Sequence, residues 1–133
     1  MLNEAILSYL LVTSVATKET KCLAANVYHE ARGEPLLGQL AVAQVTLNRV
    51  KSPKYPKSIC KVVYEPKQFS WVPYRDKNKF DNMSLAVAQL ALSGNHKLKT
   101  FKATHYHNQT VRPDWKMKQV AKIGQHTFYK ESK

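Results

Sequence analysis

Leu23-Ala-Ala-Asn-Val-Tyr-His-Glu-Ala-Arg-Gly-Glu-Pro35, continuing into the apolar run from Leu36 to Val50, is the stretch that decides the fold. Its spacing predicts a helix from about Thr20, a candidate N-cap, to Gly33 or Glu34, where Pro35 stops it. A further helix is expected to start near Pro35, a favoured first-turn residue, and to run to about Val50. Its residues Leu37, Leu40, Ala41, Ala43, Val45 and Leu47 are apolar nearly all round, the pattern of a central buried helix. Ser52-Pro53 ends it.

Outward from this pair the pattern stays helical before it changes period. Upstream, Leu2, Ile6, Tyr9 and Leu10 predict an N-terminal helix within residues 1–19, packed on a domain of residues 20–133. Downstream, Ile59, Val62 and Val63 form one helical turn, and Pro66 to Lys79 is a turn-rich loop whose Phe69, Trp71 and Tyr74 form an aromatic lip. Asp81 to Ser93 reads as a helix stopped by Gly94. Lys102 to His107 then alternates, and Val120–Ile123 and Gln125–Tyr129 flank Gly124 as two short strands. The expected class is α+β, a helix-rich single domain with a small antiparallel sheet toward the C-terminus.

At 133 residues the chain is long enough to bury a core. Twenty-one Lys and Arg against nine Asp and Glu give a net charge of +12. That balance favours polyanionic partners, such as an anionic cell envelope, nucleic acid or anionic lipid. The lysines are scattered, from Lys51, Lys54, Lys57 and Lys61 to Lys97, Lys99 and Lys102, and no groove-reading motif is present, so no specific nucleic acid is expected. The apolar segment Ala5 to Ala16 is too short for a membrane span, which needs roughly 20 residues. With no basic region before it, a secretory signal peptide is not expected. Cys22 and Cys60 have no metal-ligand spacing. They are either bridged or both buried as thiols, the commoner state.

The chemistry sits on the first helix. Leu23, Val27, Glu30 and Glu34 fall within about 60° of one another on its surface, so Glu30 lies on or beside the apolar stripe. Glutamate is seldom buried without a partner. Two readings follow from the pattern. Glu30 is salt-bridged to Arg32, Arg49 or a lysine, or it is a carboxylic acid at the floor of a cleft. An acid in a partly dry cleft holds its proton to higher pH than one in water, which suits it to protonate a glycosidic oxygen. Glu34, one turn on, is a possible second carboxylate or substrate contact. Lying just before Pro35, it is better placed to cap the next helix.

These residues resemble the SleB-type cell wall hydrolases of spore cortex lysis and phage lysis. The resemblance rests on Ala25 to Pro35, Gly38-Gln-Leu-Ala-Val-Ala-Gln-Val-Thr-Leu-Asn-Arg-Val50, Ser52 to Pro56, Cys60 to Tyr64 and Gln68-Phe69. It continues through Ala103-Thr-His-Tyr-His107, Val111 to Trp115 and Ile123 to Tyr129, and spans about residues 20 to 130. It implies a fold similar to lysozyme-like lytic transglycosylases, with Glu30 of Tyr28-His-Glu-Ala-Arg-Gly-Glu34 as the catalytic acid/base. The substrate it implies is the peptidoglycan glycan strand, cut between N-acetylmuramic acid and N-acetylglucosamine with a 1,6-anhydro product.

Gln68, Phe69, His105, Tyr106, Asn108 and Glu34 are the candidate substrate contacts, and Trp71 and Trp115 either stack on sugars or pack. No cofactor and no metal are expected. A rival reading takes His105, His107 and His126 as zinc ligands of an amidase. Another takes the chain as a non-catalytic basic module that binds the envelope or nucleic acid. The small form suggests a phage-type monomeric enzyme that passes from the host cytoplasm to the wall or periplasm.

Overall fold

The computed structural model describes residues 16–66, 68–74, 76–109, 113 and 115–131. The expected N-terminal helix lies outside them. Helix α1, Lys18–Ala31, starts one turn earlier than the sequence suggests, because Thr17 is the N-cap and its side chain accepts from Thr20 N at 3.1 Å. Thr20, the expected cap, sits buried inside the first turn. The helix ends at Ala31, and Gly33 at φ 85° turns the chain. Helix α2, Leu36–Lys51, follows from Pro35 with no side-chain cap. The capping role expected of Glu34 is therefore not what its carboxylate does.

Helix α2 is central, as its composition predicts. Gly38 to Thr46 are all buried. Helix α3, Ile59–Val63, is a single capped turn behind Ser58. Helix α4, Asn82–Ser93, opens on a capping box between Asp81 and Ser84 and closes on Gly94 at φ 70°. Helix α1 packs against α2, α3 and α4. Leu23, Val27, Leu40, Val63 and Val87 fill this interface, while Ala24, Ala43 and Ala88 let the helices approach. Burying one such Val or Leu contributes about 1.5–3 kcal/mol. Among the described residues, no helix is long and apolar enough to cross a membrane.

Strands β1 (His105–Asn108), β2 (Lys118–Ile123) and β3 (His126–Lys130) form an antiparallel sheet in the order β1-β3-β2, with a bulge between Gln119 and Ala121. Phe128 joins the sheet to α2 through a second cluster with Ala41, Val42, Val45 and Ala103. The end of α2 fixes where β1 begins. Asn48 Nδ2 donates to the carbonyls of Phe101 and Ala103 at 2.7 and 2.8 Å, and Arg49 Nε donates to that of Thr104 at 2.8 Å. Buried carbonyls in this irregular approach thus find partners that no ladder could supply.

Cys22 and Cys60 are joined in a disulfide that ties α1 to α3 across 38 positions. The commoner state for buried cysteines is overturned here because the two helices bring the Cα atoms to 5.2 Å, within bridging range. On the chain-entropy account a loop of this length contributes about 4 kcal/mol. Reduction is expected to lower the melting temperature by roughly 10–20 °C. Calorimetry with and without reductant, with thiols counted, checks this. An unchanged melt with both thiols free would refute it.

Candidate active site

Glu30 occupies the last turn of α1 and is partly exposed. Its two oxygens are held by different elements. Trp71 Nε1, from the loop after α3, donates to Oε2 at 2.9 Å, and the Tyr106 hydroxyl, from β1, donates to Oε1 at 2.6 Å. An indole N–H only donates, so it marks its partner as an acceptor. Burial, with the neighbouring Glu30 charge, pushes the Tyr106 hydroxyl well above its ordinary range, so the phenol stays a neutral donor.

The cations expected to pair with Glu30 are engaged elsewhere. Arg32 donates to the Tyr28 hydroxyl at 2.6 Å and lies over that ring. Arg49 is buried, bonded to Thr104 O, with its guanidinium over Tyr55 and Phe69. Among the described residues Glu30 forms no salt bridge. Both of its donors, Trp71 and Tyr106, are neutral, so the carboxyl group is held by hydrogen bonds alone and not by an ion pair.

The surroundings keep this geometry fixed. The Trp71 ring lies between His29 at 4.4 Å and Phe69 at 5.6 Å, both stacked, with Tyr64 edge-on at 6.0 Å. One turn before Glu30, the fully buried Asn26 accepts from Thr46 Oγ1 at 2.8 Å and locks α1 to α2.

The other candidates divide. Phe69 is buried in the stack, so it supports Trp71 and does not line a cleft by itself. Gln68 beside it is partly exposed and makes no side-chain hydrogen bond among the described residues. Alternation along β1 sends Tyr106 and Asn108 to one face and His105 and His107 to the other. Tyr106 thus reaches Glu30, with the exposed Asn108 on the same face. His105 instead meets Tyr55 and Trp115, and burial together with Arg49 lowers its pKa. His107 stacks on Tyr129 and donates to or accepts from its hydroxyl at 2.8 Å. His126 packs against Tyr106 on the opposite face. The three histidines of the zinc reading are therefore split by the sheet.

Glu34 serves the scaffold. Its Oε1 accepts from Gln125 N at 2.8 Å and stands 3.5 Å from His126 Nδ1, so it clasps the β2–β3 turn. Gly124 in that turn has φ 59°, and a methyl group there would overlap the Glu34 carboxylate. Gly124→Ala is expected to cost roughly 2–4 kcal/mol from left-handed backbone and overlap together. Adding Glu34→Ala should return part of it. Denaturant melts of the single and double variants test this, and a neutral single variant would contradict the clasp.

Trp71 is the residue whose part the sequence left undecided. Three aromatics in a turn-rich loop signal a functional loop, but nothing local says which ring aims a donor at Glu30.

A cell wall hydrolase family model matches residues 33–129. The match begins after Glu30, so it does not itself bear on that residue. A spore cortex-lytic enzyme of Bacillus cereus is 38% identical over 116 residues, covering 84% of this chain and 44% of that protein. One from Bacillus subtilis is 35% identical over 117 residues, covering 85% and 38%. The chain spans less than half the length of these curated relatives. The crystal structure of the catalytic domain of Bacillus cereus SleB superposes with a TM-score of 0.72 at 35% identity, covering 87% of this chain and 93% of that one. The catalytic domain of the germination-specific lytic transglycosylase SleB of Bacillus anthracis does so equally well, at 35% identity and 86% and 96% coverage.

Proposed function

This chain belongs to the cell wall hydrolase family, and from that premise we propose that it cleaves the β-1,4 bond between N-acetylmuramic acid and N-acetylglucosamine, with Glu30 as the only acid/base. The observation that carries this reading is a partly exposed carboxyl group gripped by two neutral donors on separate elements. Each donor takes one lone pair of an oxygen, so a second lone pair remains for the transferable proton.

In the proposed sequence, protonated Glu30 gives its proton to the glycosidic oxygen while the bond to the muramoyl C1 breaks. Positive charge spreads over C1 and the ring oxygen. The Glu30 carboxylate then takes the proton from the muramoyl 6-hydroxyl as O6 closes on C1. The carboxyl group is restored, no water is consumed, and the product carries a 1,6-anhydro ring. Glu34 is engaged by the hairpin turn, which argues against its activating water as the second carboxylate of a retaining or inverting glycosidase would. The exposed Asn108 and the partly exposed Gln68 are the polar candidates for holding sugars. The +12 charge would concentrate the protein on an anionic wall. The named relatives are spore enzymes, and a phage-borne source finds no support among them.

Mass spectrometry of fragments released from purified sacculi tests the proposal. Anhydro-muramoyl ends, lighter by one water than reducing ends, are expected. Reducing ends would replace the ring closure by hydrolysis, and free stem peptides with intact strands would overturn the whole reading.

A further inference from the structure

Beside the disulfide, and away from the Glu30 oxygens, lies a groove of about 790 Å³. Its floor is apolar, formed by Tyr64, Pro66, Phe80 and the Cys22–Cys60 bridge, and its rim carries Lys18, Lys21 and Lys61, with Glu65 as the carboxylate among its described lining residues. The nearby Glu19 is taken up by Cys60 N. The three lysines are exposed, and none pairs with an acid among the described residues. An apolar floor beneath three ammonium groups fits a ligand with small aliphatic side chains and several carboxylates.

The groove is also joined to the catalytic group. Tyr64, part of its floor, sets its ring edge against Trp71, whose indole nitrogen holds Glu30. Cys22 precedes Glu30 by eight residues on one straight helix, about 12 Å along the axis, and Lys18 by twelve, about 18 Å. A stem peptide hangs from the lactyl group of the same muramic sugar whose C1 would lie at Glu30. Four extended residues reach about 13 Å, which spans the distance to Cys22, and the lactyl ether before them together with the long lysine side chains closes the remaining gap to the rim. Its alanine methyls and its free carboxylates then meet the floor and the rim in turn.

Resting on the proposed glycan cleavage, we infer that this groove is a subsite for the acidic stem peptide of the strand being cut. The peptide anchors the muramic residue, and the lysines supply affinity without taking part in bond breaking.

The test compares intact sacculi with sacculi stripped of stem peptides by an amidase, using the full chain and a Lys18→Gln/Lys21→Gln/Lys61→Gln variant. Co-sedimentation and initial cleavage rates are read on both. On intact sacculi the variant should bind about tenfold more weakly, with KM raised and kcat kept, as three modest charge contacts imply. On stripped sacculi it should match the parent. Lys118→Gln/Lys122→Gln, on the exposed strand β2, controls for net charge and should not separate the two substrates. Equal losses on both substrates, or no loss on either, would overturn the subsite. Should the parent cleave neither substrate, the proposed function falls, while co-sedimentation still decides whether the groove distinguishes stem-bearing from bare strands.

Discussion

Glu30→Gln is expected to reduce glycan cleavage by about 10²–10⁴-fold, the contribution of a positioned general acid, while the protein keeps its fold. The amide has the shape of the carboxyl group but can neither give nor take the proton. Its accommodation follows from the two partners. Trp71 Nε1 only donates, so the amide oxygen must face it. The amide nitrogen then faces the Tyr106 hydroxyl, which can accept as readily as it donates. No donor is left facing a donor, so the cost to stability should stay within about 1 kcal/mol. Thermal unfolding and fragment release, measured on the same preparation, separate the two effects. A glutamine variant that keeps more than a tenth of the parent turnover would remove Glu30 from the mechanism.

Helices α1 to α4 were legible because their causes are local. Pro35 and Gly94 stop helices wherever they stand in such a pattern, and the all-round apolar face of α2 has nowhere to go but the centre. Thr17 took the cap from Thr20 because a capping side chain must lie outside the first turn, and two threonines three apart leave the sequence ambiguous. Tyr106 was one candidate among neighbours in β1. Strand alternation separates it from His105 and His107 but leaves those two on one face; that His126 stands on the other follows from its pairing with Asn108, a register the sequence does not show. Glu34 and Trp71 were not legible to the same degree. The partner of Glu34 is a turn 91 positions away, and the direction of the Trp71 indole depends on a stack of His29 and Phe69 assembled from two elements. Long-range partners of this kind leave no periodic trace.

Removing the donors one at a time should show that Glu30 works because it is held. Tyr106→Phe deletes a hydroxyl and little else, and Trp71→Phe deletes the N–H while keeping an aromatic ring in the stack. A hydrogen bond to a charged group is worth about 1.5–3 kcal/mol, so each change is expected to lower kcat by about 10- to 150-fold. KM should move little, since both donors are directed at Glu30. The two losses should not add. Once one donor is gone the carboxyl group can turn, and the remaining bond then fixes much less; the double variant should fall short of the product of the single effects by about tenfold. The pH behaviour gives an independent readout. The Tyr106 hydroxyl is raised above its ordinary value near 10. Whatever stability it lends is therefore complete below pH 10 and is lost only as pH climbs through the higher folded value. The parent and the Tyr106→Phe variant should thus lose stability in parallel between neutrality and pH 9, and diverge only above it. Strictly multiplicative losses, or losses confined to KM, would mean that the two donors act on substrate binding and do not hold the Glu30 carboxyl group in place.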